Sequence, residues 1–207
     1  MNRFRTCFMG LMLALGIASM AVSMNTAMVN ASGLRDIGIT DVEVLHPFPV
    51  VPMGWVVDVN VTVENFGLRN ASFSVVAYYG NSSIGERTSE TLDPGQNATL
   101  TFSLNTSRFA VCNNFTVWAN VTTPDPVMGN NFFNGSFVKI IPFIFGDVNG
   151  DGTVNIYDVS TAAAIYGCLE GQPKWNSHAD IAQPWGYIDI YDLCTILLKY
   201  GTKYKPC

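Results

Sequence analysis

The sequence predicts an all-β sandwich followed by a small all-α module made of two loop–helix repeats. From Asp36 to Ile141, apolar and polar residues alternate with the period of two that is typical of half-buried β-strands. Beyond this region the alternation stops, and the segment Val154–Gly167 recurs 34 residues later as Ile188–Gly201. The change of pattern and the internal duplication divide the 207-residue chain into modules at 32–143 and 144–207.

Residues 1–31 have the features of a signal peptide. Arg3 and Arg5 form a positive start, an uncharged apolar run extends from Phe8 to Met24, and Val29-Asn30-Ala31 offers a cleavage site. The alternative is an uncleaved anchor, because an apolar run of this length is near the minimum for spanning a bilayer. Both interpretations predict that the rest of the chain is extracellular, either secreted or held at the cell surface.

The composition excludes some classes of partner. The formal net charge is −5, and an acidic surface disfavours nucleic acid and anionic membranes. We therefore expect no nucleic-acid partner, and no membrane contact beyond the possible N-terminal anchor.

Six segments of the first module alternate strictly enough to be assigned as strands. In the second of them, Val57, Val59, Val61 and Val63 alternate with polar residues. Gly67, Asn81, Gly85, Pro94-Gly95 and Asp125-Pro126 are placed at turns between strands. Six or seven such strands in about 110 residues predict an antiparallel sandwich of immunoglobulin-like shape.

The same module is rich in N-x-S/T sequons, which predict a glycoprotein if the host glycosylates. Their positions agree with the strand assignment, because they fall on polar positions of strands or at strand ends. The eight acceptors are Asn60, Asn70, Asn81, Asn97, Asn105, Asn114, Asn120 and Asn134.

Four short motifs of this module resemble those of CARDB modules, which are sandwiches related to cell adhesion. They are Asp36–Val42, Val61–Gly67, Leu92–Gly95 and Asp125–Asn131. The resemblance implies a spacer, adhesion or ligand-binding role and no catalysis. Met128 stands where the family usually has an acid, so the resemblance does not extend to a metal at that turn.

The segment Asp147–Asp158 has the oxygen pattern of an EF-hand-type calcium loop. Such a loop binds the cation through positions 1, 3, 5, 7, 9 and 12 and needs Gly at position 6, where Gly152 stands. The final ligand is the shorter Asp instead of Glu. The predicted Ca²⁺ ligands are Asp147, Asn149, Asp151, the Thr153 carbonyl, Asn155 and Asp158.

The second copy of the loop departs from this pattern. It is one residue longer, and Ala182 and Pro184 or Trp185 stand where ligands are needed. Oxygen ligands remain at Asp180, Asp189 and Asp192, so a second calcium ion is left open. Neither repeat can bury a face alone, and we expect the two to pack on each other about a pseudo-twofold axis. The expected core between the helices consists of Ala162, Ala163, Ile165, Leu193, Ile196 and Leu197, covered by Trp175 and Trp185.

Residues 146–203 resemble a dockerin module, because paired loops of this kind each precede one short helix. In dockerins the two positions before the last Asp of each loop face a cohesin. Carried over, the resemblance implies that Ile156, Tyr157, Ile190 and Tyr191 contact a cohesin-like partner. The alternative is that these residues pack internally or on the sandwich.

Four cysteines remain beyond the signal segment, namely Cys112, Cys168, Cys194 and Cys207. Export predicts disulfides with three possible connectivities. Antiparallel packing of the repeat helices favours Cys168–Cys194, and buried free thiols are the alternative.

These observations predict a secreted, non-catalytic surface or adhesion protein whose C-terminal module binds calcium and docks onto a cohesin-like partner. Dockerins often belong to polysaccharide-processing assemblies, so an association with polysaccharide-degrading enzymes is also expected. No pair of sandwich carboxylates forms a recognisable glycosidase site. The alternative function is a carbohydrate-binding sandwich, directed at cell-surface glycan, with the calcium module as a stabilising cap.

Overall fold

A computed structural model describes residues 34–205, which belong to one compact unit. The predicted signal peptide, residues 1–31, and Cys207 lie outside the described residues. No helix in the described range is long and apolar enough to span a bilayer.

Within residues 34–205, eight strands form two sheets. The three-stranded sheet has the order β1-β3-β6, and the five-stranded sheet has the order β2-β8-β7-β4-β5. Neighbouring strands are antiparallel except for β2 and β8. The strands are β1 (Ile37–Leu45), β2 (Val50–Pro52), β3 (Val56–Asn65), β4 (Ala71–Tyr79), β5 (Ser82–Leu92), β6 (Asn97–Asn105), β7 (Asn114–Val121) and β8 (Phe132–Ile141).

The alternating residues bury one face of each central strand, as predicted. Val59, Val61 and Val63 of β3 are fully buried, and so are Val75 and Ala77 of β4 on the other sheet. Because successive side chains point to opposite faces, the intervening polar residues face solvent. The apolar faces of the two sheets form the sandwich core.

Two strands were not predicted from the sequence. The three-residue β2 is too short to show a period. β5 was assigned in part to turns around Asn81 and Gly85, but Gly85 lies within the strand and pairs with Ala77. β5 forms an edge of its sheet and is mostly polar. Few of its residues are apolar, so its sequence shows no period of two.

The C-terminal module contains two nine-residue helices, α1 (Ile156–Ala164) and α2 (Ile190–Leu198), joined by long loops. Each begins with a capping box, formed by Asn155 and Asp158 in the first repeat and by Asp189 and Asp192 in the second. The module is therefore a loop–helix structure with less helix than an all-α domain.

The two repeats pack about a pseudo-twofold axis, as predicted. Thr153 forms a bridge with Lys203, and Tyr187 forms the corresponding bridge with Leu169. Each loop thus pairs with the segment that follows the helix of the other repeat. A second hydrophobic core lies between them and includes the fully buried Val154, Ala162, Ala179, Ile188 and Ile196.

Three residues expected in or over this core lie at the surface instead. Ala163 and Leu197 are exposed, although we expected them between the helices. Trp185 was expected to cover the core but is 62 % exposed, whereas Trp175 does pack on it. Nine-residue helices have little more than two turns, so few positions of each can face the core.

Candidate functional site

The first loop folds around the side chain of Asp147, which is almost completely buried. Its Oδ1 accepts hydrogen bonds from the amides of Gly150 and Asp151, at 2.9 and 3.1 Å, and its Oδ2 accepts one from Gly152 at 2.9 Å. Gly152 has a φ of +88°, a conformation that side chains with a Cβ disfavour. The loop backbone is therefore wrapped around one carboxylate.

Asp158 closes the loop from the other end. Its Oδ2 accepts a hydrogen bond from the Asn155 amide at 2.7 Å, which completes the helix cap. Its Oδ1 accepts hydrogen bonds from the amides of Val148 and Asn149, at 2.8 and 3.1 Å. Asp158 thus ties the start of the loop to the start of α1.

The remaining predicted ligands lie together on the loop. The Asn155 side-chain amide donates to Oδ2 of Asp151 at 3.3 Å and to the Thr153 carbonyl at 3.2 Å. The Asn149 side-chain amide also donates to Oδ2 of Asp151, at 3.1 Å. One donor reaches both Asp151 and Thr153, so these two oxygens are close enough to share a single positive partner.

Burial and like charge act in the same direction on the loop carboxylates. Burial, with a further contribution from Asp158 and Asp151, raises the pKa of Asp147 to about 6. Burial is also the main cause that raises the pKa of Asp158. Keeping the carboxylates of the first loop ionised therefore costs free energy.

The oxygen types fit a hard cation, but the arrangement is incomplete as it stands. Among the described residues, no three His, Cys, Asp or Glu side chains converge closely enough to hold a metal ion. Oδ1 of Asp158 already accepts two backbone amides, which occupy both of its lone pairs. Oδ1 of Asp147 likewise accepts two amides, so each of these two carboxylates has a free lone pair only on Oδ2.

The second loop has the same backbone hydrogen bonds to its last Asp as the first but lacks several of its side-chain oxygens. Asp192 accepts hydrogen bonds from the amides of Ile181, Ala182 and Asp189, as Asp158 does at the equivalent positions. Asp180 accepts one bond, from Gly186 at 2.7 Å, and its other oxygen is buried without a partner among the described residues. The backbone design is repeated, but the side-chain oxygens in the middle of the loop are missing.

Both Ile-Tyr pairs are exposed. Ile156 and Tyr157 are 58 % and 66 % exposed, and Ile190 and Tyr191 are 52 % and 61 % exposed. Internal packing, the alternative considered from the sequence, does not occur. Tyr157 also borders a cleft of about 400 Å³ that it shares with Pro47 and Phe48 of the sandwich.

Trp55, which lies just before β3 of the sandwich, contacts both the first loop and the segment that precedes the second loop. Its indole stacks on the His178 ring, with centroids 3.8 Å apart and planes 10° apart. Gly150 lies so close that a Cβ there would be 2.8 Å from two indole carbons. Burial lowers the pKa of His178 and of the neighbouring His46. The segment that joins the modules, residues 140–146, is short and apolar, so the sequence predicts that the modules touch, but it does not identify these residues.

A cleft of about 470 Å³ lies between β5 and β6, and the sequence contained no signal for it. Its floor is Ile84, Leu104 and Phe109, and its rim includes Ser82, Ser83, Ser103, Asn105 and Arg108. Arg108 makes no hydrogen bond or ion pair with any residue in the described range. A free guanidinium beside hydroxyl groups and an apolar floor can bind a polar, negatively charged ligand.

The eight sequon asparagines all lie at the surface. Asn60 and Asn120 are half-buried, and the other six are exposed. The strand faces that the sequence predicts to be exposed are therefore the faces on which the sequon asparagines lie.

The predicted Cys168–Cys194 disulfide is wrong, because both residues carry free thiols. Cys112, by contrast, is disulfide-bonded. The prediction assumed that the end of α1 meets the beginning of α2. These segments do meet, because Ile188 exchanges backbone hydrogen bonds with Gly167 and Cys168, but Cys194 lies one turn further along α2 and is exposed.

The chain is similar to several solved structures at low identity. The CARDB domain of a Pyrococcus furiosus protein, solved in complex with two metal ions, is 19 % identical, with a TM-score of 0.44 over 53 % of this chain and 96 % of that domain. A domain of a Methanosarcina acetivorans cell-surface protein is 18 % identical, with a TM-score of 0.41 over 54 % of this chain and 96 % of that domain. A β-glucosidase from Erythrobacter marinus is 16 % identical, with a TM-score of 0.41 over 52 % of this chain and 16 % of that enzyme.

Comparison with protein-family models and with curated proteins finds no match. The two-sheet sandwich is shown by the strands of this chain themselves. At these identities and TM-scores the similarity carries no argument about function, so the function must be argued from the residues of this chain.

Proposed function

We propose that this chain is an exported, non-catalytic surface protein whose C-terminal module binds Ca²⁺ and docks onto a cohesin-like protein module. The observation that carries the proposal is the exposure of the same Ile-Tyr pair in both repeats, directly after a loop that is built around a buried carboxylate. Two apolar pairs at equivalent positions would cost solubility without benefit unless a partner covers them.

Calcium is the cation that suits the first loop. Hard cations of its size take six to eight oxygen ligands, and the loop offers carboxylate, amide and carbonyl oxygens without nitrogen or sulfur. Asp147, Asn149, Asp151, Thr153, Asn155 and Asp158 would hold the ion. A bound cation would offset the burial and the repulsion from Asp158 and Asp151 that together raise the pKa of Asp147.

The cation would act on docking through the start of α1. Asn155 belongs to the predicted ligand set and also caps the helix by accepting a hydrogen bond from the Tyr157 amide at 2.7 Å. Ordering the loop would therefore order the backbone that presents Ile156 and Tyr157. A dockerin-like module in this role would attach the sandwich to an assembly, such as one that processes polysaccharide.

The test is a pull-down with the exported chain as bait against extracellular proteins of the source organism, with calcium and with chelator. Asp151→Ala tests the cation, because Asp151 is a predicted ligand that takes no part in the helix cap. Asp93→Ala, at an exposed turn between β5 and β6, is the matched control. The double variant Tyr157→Ala/Tyr191→Ala tests the face, and Tyr166→Ala/Tyr200→Ala, which removes the exposed tyrosines after the helices, is its control.

We expect capture of a cohesin-like protein only with calcium, and its loss with Asp151→Ala and with Tyr157→Ala/Tyr191→Ala. Loss of an aromatic anchor costs about 2 kcal/mol, or roughly 30-fold in Kd. Capture that is unchanged by chelator or by the face variants would refute docking through these pairs. The C-terminal module would then act as a stabilising cap.

The cleft beside β5 favours a second candidate function, binding of an acidic saccharide by the sandwich. Arg108 would pair with a sugar carboxylate, and the rim hydroxyls would bond the ring hydroxyls above the apolar floor. We expect uronic-acid oligosaccharides to bind in the presence of chelator and binding to be lost in Arg108→Ala but not in Arg69→Ala. Equal binding by both variants would exclude this site.

A further inference from the structure

Aromatic side chains cover part of the outer face of the five-stranded sheet. Trp118 of β7 stacks on Tyr78 of β4, with ring centroids 3.9 Å apart and planes 9° apart. Phe132 of β8 lies 5.2 Å from Trp118 and is 47 % exposed. We call Tyr78, Trp118 and Phe132 the aromatic platform. A solvent-facing patch of this kind is expected to have something that covers it.

Two sequon asparagines lie within this platform. In the β7–β8 pairing, Trp118 lies opposite Asn134, and Asn120 lies opposite Phe132. Side chains directly opposite each other in an antiparallel pair have Cβ atoms about 4.5–5.5 Å apart. Each Asn therefore has an aromatic residue across the strand pair.

Each Asn also has an aromatic residue two positions earlier on its own strand, Trp118 before Asn120 and Phe132 before Asn134. Residues two apart on a strand share a face. Both asparagines are thus bordered by aromatic rings on two sides, and this juxtaposition is not shared by the acceptors of the other sheet.

The two side chains are available for modification. Neither the Asn120 nor the Asn134 side chain makes a hydrogen bond to any residue in the described range, and Asn134 is exposed. By contrast, the side-chain oxygen of Asn60 accepts a hydrogen bond from Thr101, and that of Asn105 caps a 3₁₀ turn. The amides on the platform are free to react.

We propose that Asn120 and Asn134 are N-glycosylated and that the first sugar of each glycan packs on the aromatic platform. The Nδ2 atom forms a bond to the anomeric carbon of a lipid-linked oligosaccharide, and the bond from that carbon to the phosphate oxygen breaks. The phosphate leaves with the electron pair, the amide loses one proton, and no oxidation takes place. The C–H face of the sugar then covers the rings of Trp118 and Phe132.

This assignment gives the aromatic platform an occupant that belongs to the chain itself. A sugar tethered two residues from its ring is present at high effective concentration, so a free glycan competes poorly for the same surface. The aromatic platform is therefore a covered surface and not a lectin site. The inference concerns the sandwich alone and is independent of calcium and docking.

The experiment uses the full exported chain, produced in a eukaryotic host that glycosylates it. Peptide mapping gives the occupancy of all eight sequons, and NMR gives the proton shifts of the first sugar at each site. Asn97 on β6 is the matched control, because it is exposed, faces Glu64 across the strand pair and follows Gly95 rather than an aromatic residue.

We expect occupied Asn120 and Asn134, with sugar protons shifted upfield by ring currents relative to those at Asn97. The shift should be lost in Trp118→Ala and reduced in Phe132→Ala, which spares the Trp118 indole and its hydrogen bond to the Gly80 carbonyl. Asn120→Gln/Asn134→Gln should lower Tm by about 2–4 °C, and Asn97→Gln should leave it unchanged. Unoccupied Asn120 and Asn134, or occupied sites without an upfield shift, would overturn the proposal.

Discussion

Replacing Gly150 by Ala tests whether the first loop packs against the sandwich. Gly150 has a φ of +78°, and a Cβ there would lie 2.8 Å from two carbons of the Trp55 indole and 3.0 Å from Nε2 of His46. The indole cannot easily yield, because Trp55 is buried and stacked on His178. The substitution therefore changes both the loop conformation and the contact between the modules.

The expected cost has two parts. A residue with a Cβ in the left-handed region costs about 1–2 kcal/mol. Forcing extra volume into a packed site costs about 1–3 kcal/mol more. The free energy of unfolding should therefore fall by roughly 2–5 kcal/mol, which urea denaturation of the exported chain would measure.

Gly171→Ala is the matched control. Gly171 has a φ of +84°, but a Cβ at this position would have no atom within 4 Å, so this variant should show the conformational cost alone. In a Trp55→Leu background the two indole carbons are absent, and the cost of Gly150→Ala should fall towards that of Gly171→Ala, with only the His46 contact remaining. Equal losses for both glycine variants in the wild-type background would refute the packing argument.

Three further outcomes are expected. Because burial raises the pKa of Asp147 to about 6, protons compete with the cation, and calcium affinity measured by calorimetry should fall between about pH 7 and pH 5; an affinity that does not change would remove Asp147 from the ligand set. Ile196→Ala should lower the free energy of unfolding by about 2–5 kcal/mol, since Ile196 is fully buried between the repeats, and a loss under about 1 kcal/mol would indicate that this core is loose. Without reductant, alkylation detected by mass spectrometry should label Cys168 and Cys194 but not Cys112, and unlabelled Cys168 and Cys194 would contradict the free thiols.

The strands that could be predicted from the sequence are those with one solvent-exposed face and one buried face. Val57–Val63 shows its alternation because β3 lies in the middle of its sheet, so its inner side is continuously buried. β5, by contrast, has few apolar residues, and its Ser, Thr and Glu residues resemble a loop. The cleft that includes Arg108 depends on how β5 and β6 pack against each other, and a local sequence pattern does not predict this packing.

In the C-terminal module, the repeat predicted the elements and the symmetry but not the long-range contacts. Both helices begin at the equivalent Ile-Tyr pair because their capping residues are local in sequence. The cysteines could not be paired correctly, because their distance depends on which segments meet across the pseudo-twofold axis. The stacking of His178 on Trp55 was equally hidden, since the residues lie 123 positions apart in sequence.

In the first loop, Asp158 is both a helix-capping residue and a predicted cation ligand. The second loop keeps the capping role without most of the other predicted ligands. Asp192 ties its loop to α2 through the same three amide bonds that Asp158 makes, although the side-chain oxygens around it have been replaced by Ala182 and Trp185. Backbone amides at a helix start must be satisfied whether or not an ion is present. The fold therefore depends on the capping carboxylates in both repeats, whereas a cation site depends on additional oxygens that the first loop retains.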